Sequence, residues 1–138
     1  MVVIFIFLSL AYILSQFFRS FLTVISENLE SDLLATPDDL AFSLGLWFVS
    51  FAIMQIPVGW ALDKHGPRFL ILFLLGLIGS IGILVVSYSN TVFNLHVGMT
   101  LIGIGFSPVL MTAYFIFTKK FSKSKFSTLA ATITGIGS

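Results

Sequence analysis

The sequence predicts an all-α integral membrane protein, a helical bundle of four membrane-spanning helices followed by the start of a fifth. Three observations carry this reading. Hydrophobic residues make up 57% of the chain and charged residues 9%, with a mean hydropathy of +1.07, whereas soluble domains are about 45–50% apolar and about 25% charged. Residues 40–62 and 69–118 contain no Asp, Glu, Lys or Arg, and about 20 apolar residues cross the hydrocarbon core of a bilayer. Apart from Arg19, the basic residues fall in alternate connections between the apolar runs, as a chain that threads a membrane requires.

Taken in order, the first span covers residues 2–26, uncharged from Val2 except for Arg19. An acidic connection with Glu27, Glu30, Asp32, Asp38 and Asp39 follows. Thr36-Pro37-Asp38-Asp39 reads as a helix start, with Thr36 as N-cap, Pro37 in the first turn and acids at the positive end of the dipole. It opens the second span, over about 38–62. Gly66 suits a left-handed C-cap and Pro67 the first position of the third span, over about 67–87. The polar cluster Ser87 to Thr91 turns the chain into the fourth span, over about 92–118, which Pro108 is expected to kink. Residues 126–138 open a fifth helix.

Other classes are excluded by the same residues. A signal peptide has a basic start, a shorter apolar core and a small-residue cleavage site. A transmembrane barrel alternates polarity within segments of about ten residues, and these runs do not alternate. Without cysteine there is no disulfide framework, thiolate metal site or cysteine nucleophile. His65 and His96 are too far apart in the chain's threading to share a metal, and there is no nucleotide fingerprint or paired carboxylate at membrane depth. No catalytic residue, metal, cofactor or nucleic-acid partner is expected, and the lipid bilayer is the first partner.

Charge sets the expected orientation. Lys64 and Arg68 lie between spans two and three, and Lys119, Lys120, Lys123 and Lys125 follow span four. Short loops rich in Lys and Arg stay cytoplasmic. The N-terminus is therefore expected inside, in the cell (inner or plasma) membrane.

Arg19 is the one charge inside an apolar run. At 100° per residue, Tyr12, Ser15, Arg19, Thr23, Ser26 and Glu30 fall on one side of the first helix, with Gln16 at the border. Polar stripes on membrane helices face water-filled cavities or bundle interiors, and an Arg near the centre of a span costs about 2.5–3.5 kcal/mol on insertion scales. In a cavity its guanidinium would grip a carboxylate, phosphate or similar anion through paired hydrogen bonds. The other reading is an Arg near the span's outer end that snorkels to the interface. On span two, Trp47 and Ser50 share a face with Ser43 and Met54 and are cavity candidates. Gly45, Ala52 and Gly59 form a small-residue seam on the opposite side, read as helix packing. Gly76 with Ser80, and Gly103 with Ser107, are further small-residue pairs read the same way.

The stretch GWALDKHGPR, residues 59–68, places Asp63 at the negative end of a helix dipole, an unfavourable site by about 0.3–1 kcal/mol. Either it is an incidental surface acid or it has a partner elsewhere, such as a basic residue or a helix N-terminus. The stretch resembles the cytoplasmic loop signature of the major facilitator superfamily, G-x-x-x-D-[RK]-x-G-x-[RK]. Gly59, Asp63, Lys64, Gly66 and Arg68 match it in type and spacing. FFRSFLTVI in span one and FAIMQIPVGWALD in span two are similar to the same superfamily, in its anion-transporting branches.

The resemblance implies secondary transport, symport or antiport, of a small organic or inorganic anion by alternating access. It implies that Asp63, Lys64 and Arg68 form an inner gate with a helix of the transporter's second half. It departs from the family pattern at Met99, where an arginine often stands four residues before G-x-G, here Gly103 and Gly105. The family fold has twelve spans, so residues 1–138 are expected to be the N-terminal part of a transporter domain, with the C-terminal half in the same or a second chain. The alternative is a complete small four-helix protein acting as an oligomeric transporter or interaction subunit.

Overall fold

A computed structural model describes residues 2–137, so the expected fifth span leaves the described residues at Ser138. Among the described residues there is helix and no strand. The helices are α1 (Val2–Val24), α2 (Ser26–Leu33), α3 (Pro37–His65), α4 (Pro67–Ser87), α5 (Val92–Lys120) and α6 (Lys123–Gly137). Four of them, α1, α3, α4 and α5, are long and apolar enough to cross a membrane. The protein is an all-α membrane bundle.

Local chemistry sets the ends. Thr36 caps α3: the Asp39 amide donates to Thr36 Oγ1 (3.2 Å), and the Thr36 amide donates to Asp39 Oδ2 (2.9 Å). This reciprocal box satisfies two backbone donors that a helix start leaves open. At the other end, the Gly66 amide donates to Leu62 O at 3.2 Å. Gly66 has φ +81° as the sequence implies, but ψ is 168°, so it is extended rather than left-handed helical. The cause is Pro67, whose ring disfavours the helical region for the residue before it. That combination of positive φ and extended ψ is open essentially to glycine alone.

The core is built around α5. Of its apolar window 56% is buried, against 17–22% for the other three spans. α3 and α4 pack on its first half and α1 on its second. Leu95, Met99, Ile102, Phe106 and Val109 of α5 are buried with Ala11 and Leu22 of α1 and Leu40 and Trp47 of α3. Lower down, Leu8, Ala113, Phe117 and Ile133 join α1, α5 and α6.

Close backbone approach makes this possible. A Cβ on Gly103 would collide with Ser50 Oγ and lie 2.6 Å from Trp47 O, so α3 rests directly on α5 there. A Cβ on Gly105 would collide with the backbone of Gly79, and one on Gly82 would lie 2.8 Å from Ile102 N. The small residues that α4 brings to the α5 contact are thus Gly79 and Gly82, not the expected Gly76 and Ser80, which are exposed. Residues Ile71–Gly79 are wound as π-helix, and an i→i+5 turn holds about one residue more than an α turn, which rotates every face after it. The seam expected at Gly45 and Ala52 is also exposed, and nothing lies within 4 Å of a Cβ on Gly45.

Pro108 interrupts α5 at Ser107. Having no amide hydrogen, it cannot donate to Ile104 O. That carbonyl instead accepts from the Ser107 hydroxyl (2.7 Å) and amide (3.3 Å). From α3, Gln55 Nε2 donates to Ser107 O at 3.3 Å. The helix is broken without leaving this carbonyl bare, as the low-dielectric interior demands.

Gly103→Ala is expected to destabilise the detergent-solubilised protein by an overpacking cost of about 1–3 kcal/mol, seen as a lower unfolding midpoint. Gly45→Ala, on an open face, is expected to leave it unchanged or raise it slightly, since alanine is the better helix former. Equal effects at the two positions would contradict the packing described.

Candidate functional site

A cavity of about 170 Å³ lies between α1, α3 and α5. From α1 come Tyr12, Ser15, Gln16 and Arg19; from α3, Trp47, Phe48 and Phe51; from α5, Phe106, Val109 and Leu110. The spacing on α1 is i, i+3, i+4, i+7, one helix face. On α3, Trp47 and Phe51 are one turn apart, and their rings stack at 5.1 Å and 15°. Phe106 lies 5.6 Å from the Phe18 ring, which closes the α1–α5 side.

Depth follows from chain geometry. Phe106 is 14 residues beyond the start of α5 at Val92, about 21 Å along a helix rising 1.5 Å per residue. The cavity therefore sits near the middle of the longest spans. Arg19 is half-buried on its wall. Among the described residues it has neither an ion-pair nor a hydrogen-bond partner.

Two further polar groups on the lining are unpaired. Trp47 is 3% exposed, and its buried indole Nε1 has no hydrogen-bond partner. The buried Gln16 Oε1 has none either. Buried polar atoms are nearly always bonded, and both of these are closed off from the cavity by the atoms around them.

Of the residues singled out in the sequence, Tyr12, Ser15, Arg19 and Trp47 come together on the cavity. Thr23 and Ser50 do not. Thr23 is exposed near the end of α1, and the chain turns at Ile25, φ −105° and ψ 17°, into a separate α2. Ser26 and Glu30 on that helix no longer extend the stripe. Ser50 is buried, with its hydroxyl donating to Trp47 O at 3.0 Å and its oxygen against Gly103. It packs α3 on α5 instead of lining the cavity. Gln16 and the wall residues Phe48, Phe51, Phe106, Val109 and Leu110 had no polar periodicity to single them out, although Gln16 borders the stripe.

The 59–68 loop lies at the far end of α3. Gly59 faces the Met111 side chain, 3.9 Å from an added Cβ. Asp63, Lys64 and Arg68 are exposed, with no ion pair among the described residues. Lys64 Nζ sits 4.7 Å over the Trp60 ring, and His65 stands between Trp60 and Phe69, with ring centroids 6.1 and 5.4 Å away. Met99, at the position where the resemblance would place an arginine, is wholly buried. At the opposite end, Ser43 on α3 is hydrogen-bonded to His96 Nδ1 on α5.

The wall divides into a structural and a mutable side. Phe106 is 1% exposed and Phe48 is 46% exposed. Phe106→Ala should sharply lower the unfolding midpoint, Phe→Ala in well-packed cores costing about 3–5 kcal/mol. Phe48→Ala should change it little, and a reversed order would contradict the wall's construction.

The family model for the Major Facilitator Superfamily matches residues 8–138. No curated protein and no solved structure is detectably similar to the chain. The match covers both the cavity and the 59–68 loop: the chain belongs to the major facilitator superfamily.

Proposed function

We propose that this chain is the N-terminal part of a secondary transporter for a small organic or inorganic anion, with Arg19 as the group that holds the anion. Members of the superfamily are secondary transporters of solutes, and the spans make this a multi-pass membrane protein. The observation that carries the anion is a half-buried guanidinium without a counter-ion on a mid-membrane cavity whose surface is mostly apolar. A charge is costly there unless paired, and a planar fork of donors matches a carboxylate or oxyanion. Tyr12, Ser15 and Trp47 complete the polar side of that cavity.

The exposed, unpaired Asp63, Lys64 and Arg68 support an inner gate formed with helices of a C-terminal half, in the same or a second chain. In this reading their contacts hold one state of the rocking cycle, and the basic ends of the bundle, with the N-terminus, face the cytoplasm of the cell membrane.

Arg19→Lys keeps the charge and loses the fork. It is expected to abolish anion uptake into proteoliposomes reconstituted with the intact transporter, at unchanged protein level. Asp63→Asn, on an exposed side chain, is expected to leave the unfolding free energy within about 0.5 kcal/mol of wild type while slowing uptake. Uptake unchanged in Arg19→Lys would remove the anion assignment; uptake unchanged in Asp63→Asn would remove the gate.

A further inference from the structure

We infer that the connection between α5 and α6 is a binding surface for anionic phospholipid. Lys119, Lys120, Lys123 and Lys125 meet the headgroup phosphates, and the exposed start of α1 meets the acyl chains. This goes beyond the transport reading and holds whatever the solute.

Charge argues first. Four lysines stand within residues 119–125, at the end of a membrane span and just after it, and basic clusters in that place attract anionic lipid. All four are exposed. Among the described residues none of them has an ion-pair partner, and Lys119 has only a ring contact, its Nζ 4.3 Å over Phe115. Asp63 is the one acid at this end of the bundle, the other five lying between positions 27 and 39. Lys119 and Lys120 close α5, where a cation meets the negative pole of the helix dipole. Lys123 and Lys125 instead open α6, at its positive pole, in a turn without an acid. Membrane orientation requires basic residues in the connection but not in that turn. A phosphate held above them removes the conflict.

Packing argues second. The connection is pinned to the bundle, so its charges cannot disperse. The Phe121 ring meets Phe117 at 6.0 Å and the Phe126 ring meets Tyr114 at 5.8 Å, and both phenylalanines pack on the core shared by α1, α5 and α6. Phe117 also meets Phe5 at 6.0 Å, which sets the start of α1 beside the connection. There Val2, Val3, Ile6 and Phe7 are exposed. Cations next to an apolar face fit a lipid, because its phosphate and its chains add their contributions. A free phosphate or an acidic soluble protein would leave the apolar face bare.

The test is calorimetric titration of the intact protein, in a neutral detergent, with short-chain phosphatidylglycerol and short-chain phosphatidylcholine. Phosphatidylglycerol should bind and phosphatidylcholine should not. In a double variant, Lys123→Gln with Lys125→Gln, binding should weaken about five-fold for each lysine removed. Lys123→Arg with Lys125→Arg should retain it. Sodium phosphate should compete no better than sodium chloride at equal ionic strength. A second measurement separates lipid binding from folding. In phosphatidylcholine nanodiscs the glutamine variant should unfold at or above the wild-type temperature, since cations have left the positive pole of α6. In nanodiscs of phosphatidylcholine and phosphatidylglycerol in equal amounts it should unfold below wild type.

Equal binding of the two lipids, or phosphatidylglycerol binding unchanged in the glutamine variant, would overturn the inference. Displacement by sodium phosphate beyond that by sodium chloride would assign the lysines to a free anion and overturn the lipid. The same order of unfolding temperatures in both nanodiscs would leave the lysines with membrane orientation alone, and would overturn it too.

Discussion

Everything in this bundle depends on how closely α5 can be approached. Lipid tails are as apolar as leucine, so helices in a membrane gain little by hiding apolar surface and associate through close packing and hydrogen bonds. Gly103 lets the Trp47–Ser50 turn of α3 lie on the α5 backbone, and Gly82 and Gly105 bring α4 in beside it. One helix with small residues on two of its sides thereby becomes the axis of the bundle, and the others expose most of their surface outward.

The site is a consequence of that axis. Because Ser50 and the Trp47 carbonyl are pressed on Gly103, the Trp47 ring is fixed between α5 and α1. Phe106, one turn below Gly103, holds the other side against Phe18. The gap left between these aromatic rings is where α1 presents Arg19. Arg19 lies on that cavity's wall, where a charge costs less than it would against lipid. The break at Pro108, covered by Ser107 and Gln55, lies between Phe106 and Val109 on the same wall.

Features set by length and by local chemistry were legible in the sequence. An uncharged run of some 20 residues spans a membrane wherever it sits, and the Thr36 box needs only residues three apart. The face carrying Tyr12, Ser15 and Arg19 followed from helical period alone. Features set by choice among equivalent apolar faces were not legible. Gly45 and Gly76 looked as suited to packing as Gly79 and Gly82, since in lipid the outside of a helix reads like the inside, and the π-wound turn of α4 displaced the face that packs. Thr23 fell away because α1 ends at Val24 without a proline or glycine to announce it. Gln16 was visible only as a polar residue beside the stripe, and its place on a cavity depends on Trp47 and Phe106, which come from other helices.

The central claim is that Arg19 lies on a water-accessible cavity inside the bundle. The chain has no cysteine, so single cysteines can be placed in α1 without background and treated with a small, charged, water-soluble thiol reagent. Labelling is expected at positions 12, 16 and 19, which line the cavity. None is expected at 13, 14 and 17, which point outward. Labelling at 13, 14 and 17 with silence at 12, 16 and 19 would contradict it, and would put the guanidinium at the lipid interface.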